Sequence, residues 1–215
     1  MKIYAISGLG ADERVFKFLK LDCELIPLHW IAPQKNESIE SYALRLSKNI
    51  DSKHKSIGII GVSFGGLVAT EITKIINPKF TILISSAETK DELRSIYRLI
   101  GKTNFVKLIP SSFFQLPAFL QPILFGTSNS KLLNQIIADT DLKFTKWAIS
   151  QLVSWKNKER LKNCLKISGT KDLLLPHSSY GNVELIKDGA HFMIVDRATE
   201  ISEIINQYIL NSFKL

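Results

Sequence analysis

Apolar residues along the chain alternate between two periods. "KIYAISG" (2–8) is a short run rich in β-formers that stops at "SGLG", and "CELIPLHW" (23–30) is a second strand candidate. Pro27 lacks the N–H that an inner strand would donate, so this strand is expected at a sheet edge. Over 37–50 the period lengthens. Ile39, Tyr42, Leu46 and Ile50 fall at helical spacing, with Asn36 as the expected cap. "IGIIGVS" (57–63) is continuously apolar, as in a strand covered on both faces. A helix carrying Leu67, Val68, Ile72, Ile75 and Ile76 on one side follows, and Asn77-Pro78 ends it. "FTILISSA" (80–87), "CLKISG" (164–169) and "NVELIK" (182–187) are three more strand candidates. The last helix, 197–210, places Ile201, Ile204, Ile205, Tyr208 and Ile209 on one face.

Strands alternating with helices predict an α/β fold, a mostly parallel sheet of about six strands with helices on both faces. The stretch 88–157 breaks the rhythm. It holds no strand pattern, is punctuated by Pro110, Pro117, Pro122 and Gly126, and carries Phe105, Phe113, Phe114, Phe119, Phe125, Trp147 and Trp155. An insertion of this size between two strands is expected to be a helical lid. The expected organisation is thus a core of 1–87 and 158–215, with a cap of 88–157.

Composition narrows the class. At 215 residues and 45% hydrophobic content the chain suits one domain with a sizeable core. No run approaches the roughly 18–20 apolar residues of a membrane span. The apolar start at Lys2 is too short for a secretory signal. A soluble, cytoplasmic protein is expected. Cys23 and Cys164, far apart in apolar contexts, make neither a disulfide framework nor a metal motif, and are expected as buried thiols. The net charge is +8, but the lysines are dispersed and not interleaved with aromatics, so no nucleic-acid partner is expected.

The chemistry concentrates at "IIGVSFGG". Gly61-Val62-Ser63-Phe64-Gly65 is a G-x-S-x-G placed where a buried strand meets a helix. A sharp turn there lifts the serine hydroxyl above the sheet, and its flanks must be small. A glycine-rich turn with a capping serine would look similar. A phosphate loop would also carry a lysine, which is absent. Serine needs a base. Of the four histidines, His29 and His54 precede the motif and His177 sits in a loop among serines. His191, in "KDGAHFMIV", follows the last strand and the turn at Asp188-Gly189, at the sheet edge where such folds bind ligands. The orienting carboxylate is expected to be Asp172 in "ISGTKDLLLP", after the preceding strand, with Glu184 and Asp188 as substitutes. Asp196 follows the histidine and breaks the order.

With "GVSFGG", "SGTKDLLLP" and "GAHF" in this order, the chain resembles the α/β-hydrolase superfamily. The resemblance implies Ser63 as nucleophile, His191 as general base and then acid, and Asp172 as orienter. It implies an oxyanion hole of two backbone N–H groups, from Phe64 and from Leu9 in "SGLGAD", where Ser7 replaces the usual histidine. The chain begins at the strand that is usually third, so six strands are expected. Serine at position 63 argues against the dehalogenase and epoxide-hydrolase branches, which use aspartate. The implied activity is hydrolysis of a small or medium acyl substrate, a carboxylic ester, with no metal or organic cofactor. Thioesterase, amidase, carbon–carbon hydrolase or lyase chemistry on the same triad, or a slow ligand-binding receptor, remain open. Phe113, Phe114 and Trp147 are the expected pocket residues of the lid.

Overall fold

A computed structural model describes residues 1–51, 56–103, 105–115, 117, 119–127 and 129–213. Six strands form one fully parallel sheet. They are β1 (Lys2–Ile6), β2 (Glu24–Pro27), β3 (Ile57–Val62), β4 (Phe80–Ile84), β5 (Cys164–Gly169) and β6 (Asn182–Ile186), in the spatial order β2-β1-β3-β4-β5-β6. Pro27 lies on the edge strand, where its missing N–H costs nothing. Chain order reverses between β1 and β3, and the crevice above that point is the usual ligand site of open α/β sheets.

Side chains alternate through the sheet. Tyr4, Ile6, Ile59 and Leu83 join one core layer, with α1 (Ile39–Ser47) and α2 (Phe64–Ile76) packed on it. Ile3, Ala5, Ile60, Val62, Ile82, Ile84, Leu165 and Ile167 join the other. That layer is closed by a 3-10 turn at Glu13–Phe18, the short helix Met193–Asp196 and the final helix Ala198–Phe213. Two-sided burial explains why β3 and β4 read as apolar runs. Ser38 caps α1 through a bond from the Ser41 N–H, in place of the expected Asn36. Asn36 instead takes a left-handed turn (φ 57°) ahead of the helix. Asn77 ends α2 in the left-handed conformation, before Pro78. The thiols are also less enclosed than expected. Cys23 and Cys164 are half-buried, because each stands at or before the first residue of a strand.

Between β4 and β5 the chain is helical among the described residues: α3 (Ser95–Gly101), α4 (Phe105–Leu108), a 3-10 turn at Ser111–Phe114, α5 (Gln121–Phe125), α6 (Ser130–Ala138) and α7 (Leu142–Ser154). The two helices after β6 are therefore α8 (Met193–Asp196) and α9 (Ala198–Phe213). Helix α7 is tied to the core. Trp147 Nε1 donates to the Glu37 carbonyl at 2.9 Å, and Gln151 Oε1 accepts from the Ile39 N–H at 3.0 Å.

Candidate active site

Ser63 sits between the end of β3 and the first turn of α2, at φ 53° and ψ −126°. For a residue with a Cβ this is strained backbone, and its neighbours hold it there. Its N–H donates to the Ile84 carbonyl at 2.9 Å. Its own carbonyl accepts from the Gly66 N–H and from Ser86 Oγ, the latter at 2.7 Å. The flanking glycines are required by contact. A Cβ on Gly65 would collide with the carbonyl oxygens of Ile6 and Ser7, and one on Gly61 would meet Gly66 Cα at 2.5 Å. The glycines thus let α2 start directly against the ends of β1 and β3, aiming its N-terminus at the serine.

His191 stands on the loop after β6, and Asp172 on the loop after β5. Cross-links align the two loops. The Lys171 N–H donates to the Gly189 carbonyl at 2.8 Å, and Gly169 packs on the Gly189 backbone. His191 Nε2 lies 2.9 Å from Ser63 Oγ, and its Nδ1 lies 2.8 and 3.0 Å from the two carboxylate oxygens of Asp172. The Leu174 and Leu175 N–H groups also donate to Asp172, each at 2.9 Å. Both titratable groups are 5% exposed. The three expected side chains thus form one hydrogen-bonded row. Glu184 and Asp196 are exposed, and Asp188 pairs with Lys171 at the surface. His29 and His177 are exposed, and His54 lies outside the described residues.

The Gly8–Leu9 turn after β1 lies against Ser63, since a Cβ on Gly8 would stand 3.2 Å from the serine Cβ. Ser7 braces this turn by donating to the Ala11 carbonyl at 2.7 Å. The Ala11 N–H donates to Gly8, and Thr140 Oγ1 of the helical segment donates to Gly10. Among the described residues the Leu9 and Phe64 N–H groups have no hydrogen-bond partner.

A cavity of about 420 Å³ opens above Ser63 and His191. Its walls are apolar, including Leu9, Ile100, Val106, Phe114, Phe125 and Leu152. Phe114 is one of the lining residues. Phe113 and Trp147 are not. Phe113 is 77% exposed, on the other side of its 3-10 turn. Trp147 packs on the core instead, its ring centroid 5.7 Å from Phe64 and 4.4 Å from Tyr42.

Two cavity residues carried no separable signal in the sequence. Phe125 ends α5 and lies 5.7 Å from the His191 ring, while its carbonyl accepts from the Phe192 N–H. It also faces two smaller cavities, of about 40 and 220 Å³. Tyr97 donates to the Leu174 carbonyl, and burial pushes its phenol above the ordinary range, with the nearby Asp172 charge adding to this and Arg94 opposing it. Ser86 acts as a brace on Ser63, and Ser85 Oγ is buried with no hydrogen-bond partner among the described residues.

A parallel sheet with a serine on the strand–helix turn after β3, and loops after β5 and β6 converging on it, is the α/β-hydrolase fold. Solved structures agree at the level of fold. A thermophilic esterase from Thermogutta terrifontis, malate bound, superposes with a TM-score of 0.73 at 14% identity, covering 99% of this chain and 90% of that one. A lipase-esterase related protein from Clostridium acetobutylicum gives 0.69 at 18% identity, over 97% and 94% of the two chains. A bromoperoxidase from Bacillus anthracis gives 0.70 at 15% identity, over 97% and 91%. No family model matches the chain, and no curated protein matches it in sequence.

Proposed function

We propose that the protein is a serine hydrolase that cleaves a carboxylic ester of a small or medium acyl group. The observation that carries this reading is the hydrogen-bonded row Asp172–His191–Ser63 beneath an apolar cavity. The Ser63 hydroxyl attacks the ester carbonyl as His191 Nε2 takes its proton. Asp172 keeps the other ring proton on Nδ1 and stabilises the imidazolium. The tetrahedral oxyanion falls between the free N–H groups of Leu9 and Phe64, at the start of α2. Each such donor is typically worth about 3 kcal/mol in the transition state. Imidazolium then protonates the leaving alcohol, and a water activated by His191 releases the acid from the acyl-enzyme.

The printed names of the structural neighbours, among them esterases and a lipase-esterase related protein, support the same reading. The helical segment 88–157 serves as a cap. Its residues wall the cavity from above, where they exclude water from the acylation step. Among the described residues no Asp, Glu, Lys or Arg lines that cavity, which favours a neutral, apolar acyl group.

The test is a panel of p-nitrophenyl esters of graded chain length, with acyl thioesters beside it, run on wild type and Ser63→Ala. Ester turnover and fluorophosphonate labelling are expected in the wild type and lost in the variant, with the fold unchanged by circular dichroism. Labelling that persists in Ser63→Ala would move the nucleophile elsewhere.

A further inference from the structure

We infer that the outer face of the helical segment 93–138 is a docking surface for an anionic lipid bilayer. The first observation is its charge. From Leu93 to Ala138 the chain has no Asp or Glu in 46 residues, while Arg94, Arg98, Lys102, Lys107 and Lys131 are all cationic. The whole chain carries 20 acids in 215 residues, about one in eleven, so this run is a local departure.

The second observation is the apolar surface among those cations. Helices α3 and α4 and the 3-10 turn at Ser111–Phe114 all pack against α7. Leu99 on α3, Phe105 and Leu108 on α4, and Phe113 on the turn nevertheless leave 59%, 61%, 79% and 77% of their surface in solvent. Large side chains this exposed, gathered on three consecutive short elements, mark an interaction surface.

The third observation links this face to the interior. Phe105 belongs to the wall of the 420 Å³ cavity and is also 61% exposed, so the cavity reaches the surface on this side. A bilayer seated there would meet the mouth of an apolar cavity, and an apolar molecule could pass between the two without crossing bulk water.

Charge decides between occupants. Arg98 is paired with Asp91 and Arg94 is half-buried, so a second copy placed symmetrically on this face would bring the exposed Lys102 and Lys107 against their own counterparts. An anionic bilayer pairs with the cations and covers the apolar tips, as interfacial binding requires. No described helix is long and apolar enough to span a membrane, so the attachment is peripheral. The inference rests on this face and not on ester chemistry, and binding is measured without substrate.

The experiment is flotation of the full chain with vesicles of phosphatidylcholine alone, or of phosphatidylcholine mixed equally with phosphatidylglycerol. Wild type is expected to bind the anionic vesicles at least about tenfold more tightly, with binding weakened as salt rises. Lys102→Glu/Lys107→Glu and Leu108→Ser/Phe113→Ser should each lose about tenfold. Neither pair lines the cavity, so turnover of a soluble short ester and the melting temperature should stay at wild-type values, which shows that the variants fold. The control Lys48→Glu/Lys79→Glu changes exposed cations off this face and should bind as wild type does. Equal loss in the control would mean that the net charge of +8 adsorbs the chain without a defined face, and would overturn the inference. So would unchanged binding by Leu108→Ser/Phe113→Ser. A lipid-free dimer that this variant dissolves would assign the face to a second copy instead.

Discussion

Asp172 shows how much of the proposed site rests on one side chain's surroundings. Its carboxylate is met by His191 Nδ1 and by two backbone N–H groups, so its rotamer is fixed before any substrate arrives. Asp172→Asn would keep the shape but present an amide to Nδ1. The ring would then favour the tautomer with its proton on Nε2, facing Ser63, where it cannot act as a base. We expect kcat for a p-nitrophenyl ester to fall by about 10³–10⁴-fold with KM little changed. Parallel Asp188→Asn and Glu184→Gln variants should stay within a few-fold of wild type. Loss of activity on changing Asp188 or Glu184 while Asp172→Asn stays active would reassign the acid. That Ser63, Asp172 and His191 would meet was legible in the sequence because each follows its own strand, and a parallel sheet brings all such positions to one edge. Ser86 and Tyr97 were not. Ser86 matters through a bond to a backbone carbonyl that no side-chain pattern announces, and Tyr97 through a helix whose docking the sequence does not specify.

At the scale of elements, all six strands were legible, the inner β3 and β4 because burial on both faces leaves an apolar signature, although β2 and β4 each end three residues before the run that announced them. The helices between β4 and β5 were legible as a group only. Their short lengths and many prolines hide which face of each one turns inward. Phe113 and Phe114 are adjacent, yet Phe114 lines the cavity and Phe113 faces solvent. This contrast gives a test of the cap reading. Phe114→Ala enlarges the cavity, and the chain-length profile of kcat/KM should move toward longer or bulkier acyl groups. Phe113→Ala should leave the profile unchanged. Trp147 belongs to a third class. Its ring packs on Tyr42, Phe64 and Phe144 and its Nε1 binds Glu37, so Trp147→Ala should lower stability to urea by about 3 kcal/mol. An unchanged profile in Phe114→Ala would place the specificity determinants outside the 3-10 turn.

At the scale of the whole molecule, the helical segment between β4 and β5 is held to the rest of the fold by polar contacts at its base. Trp155 Nε1 donates to Glu71, Asn157 donates to the Glu88 carbonyl, and Lys166 pairs with Glu92 at 3.1 Å. At the other end of α7 the anchor is Glu37. Its backbone carbonyl takes the Trp147 bond, and its carboxylate, almost fully buried, is paired with Arg45 at 2.7 Å and bonded by the Gln34 N–H. The Arg45 hydrogen bonds hold this carboxyl below its ordinary range, more strongly than burial raises it. A carboxyl whose folded pKa is depressed binds protons more readily when the chain is unfolded. Its contribution to stability is therefore complete above its unfolded pKa near 4.5 and is lost as pH falls through the lower folded value. Glu37→Gln removes the charge at every pH. The urea midpoint of the variant should lie below that of wild type at neutral pH. The gap should narrow as the solution is acidified below about pH 4.5, closing once Glu37 is protonated in the folded protein. A gap of constant size down to low pH would mean that the variant fails through altered shape alone. The ion pair would then contribute nothing to holding α1 where α7 docks.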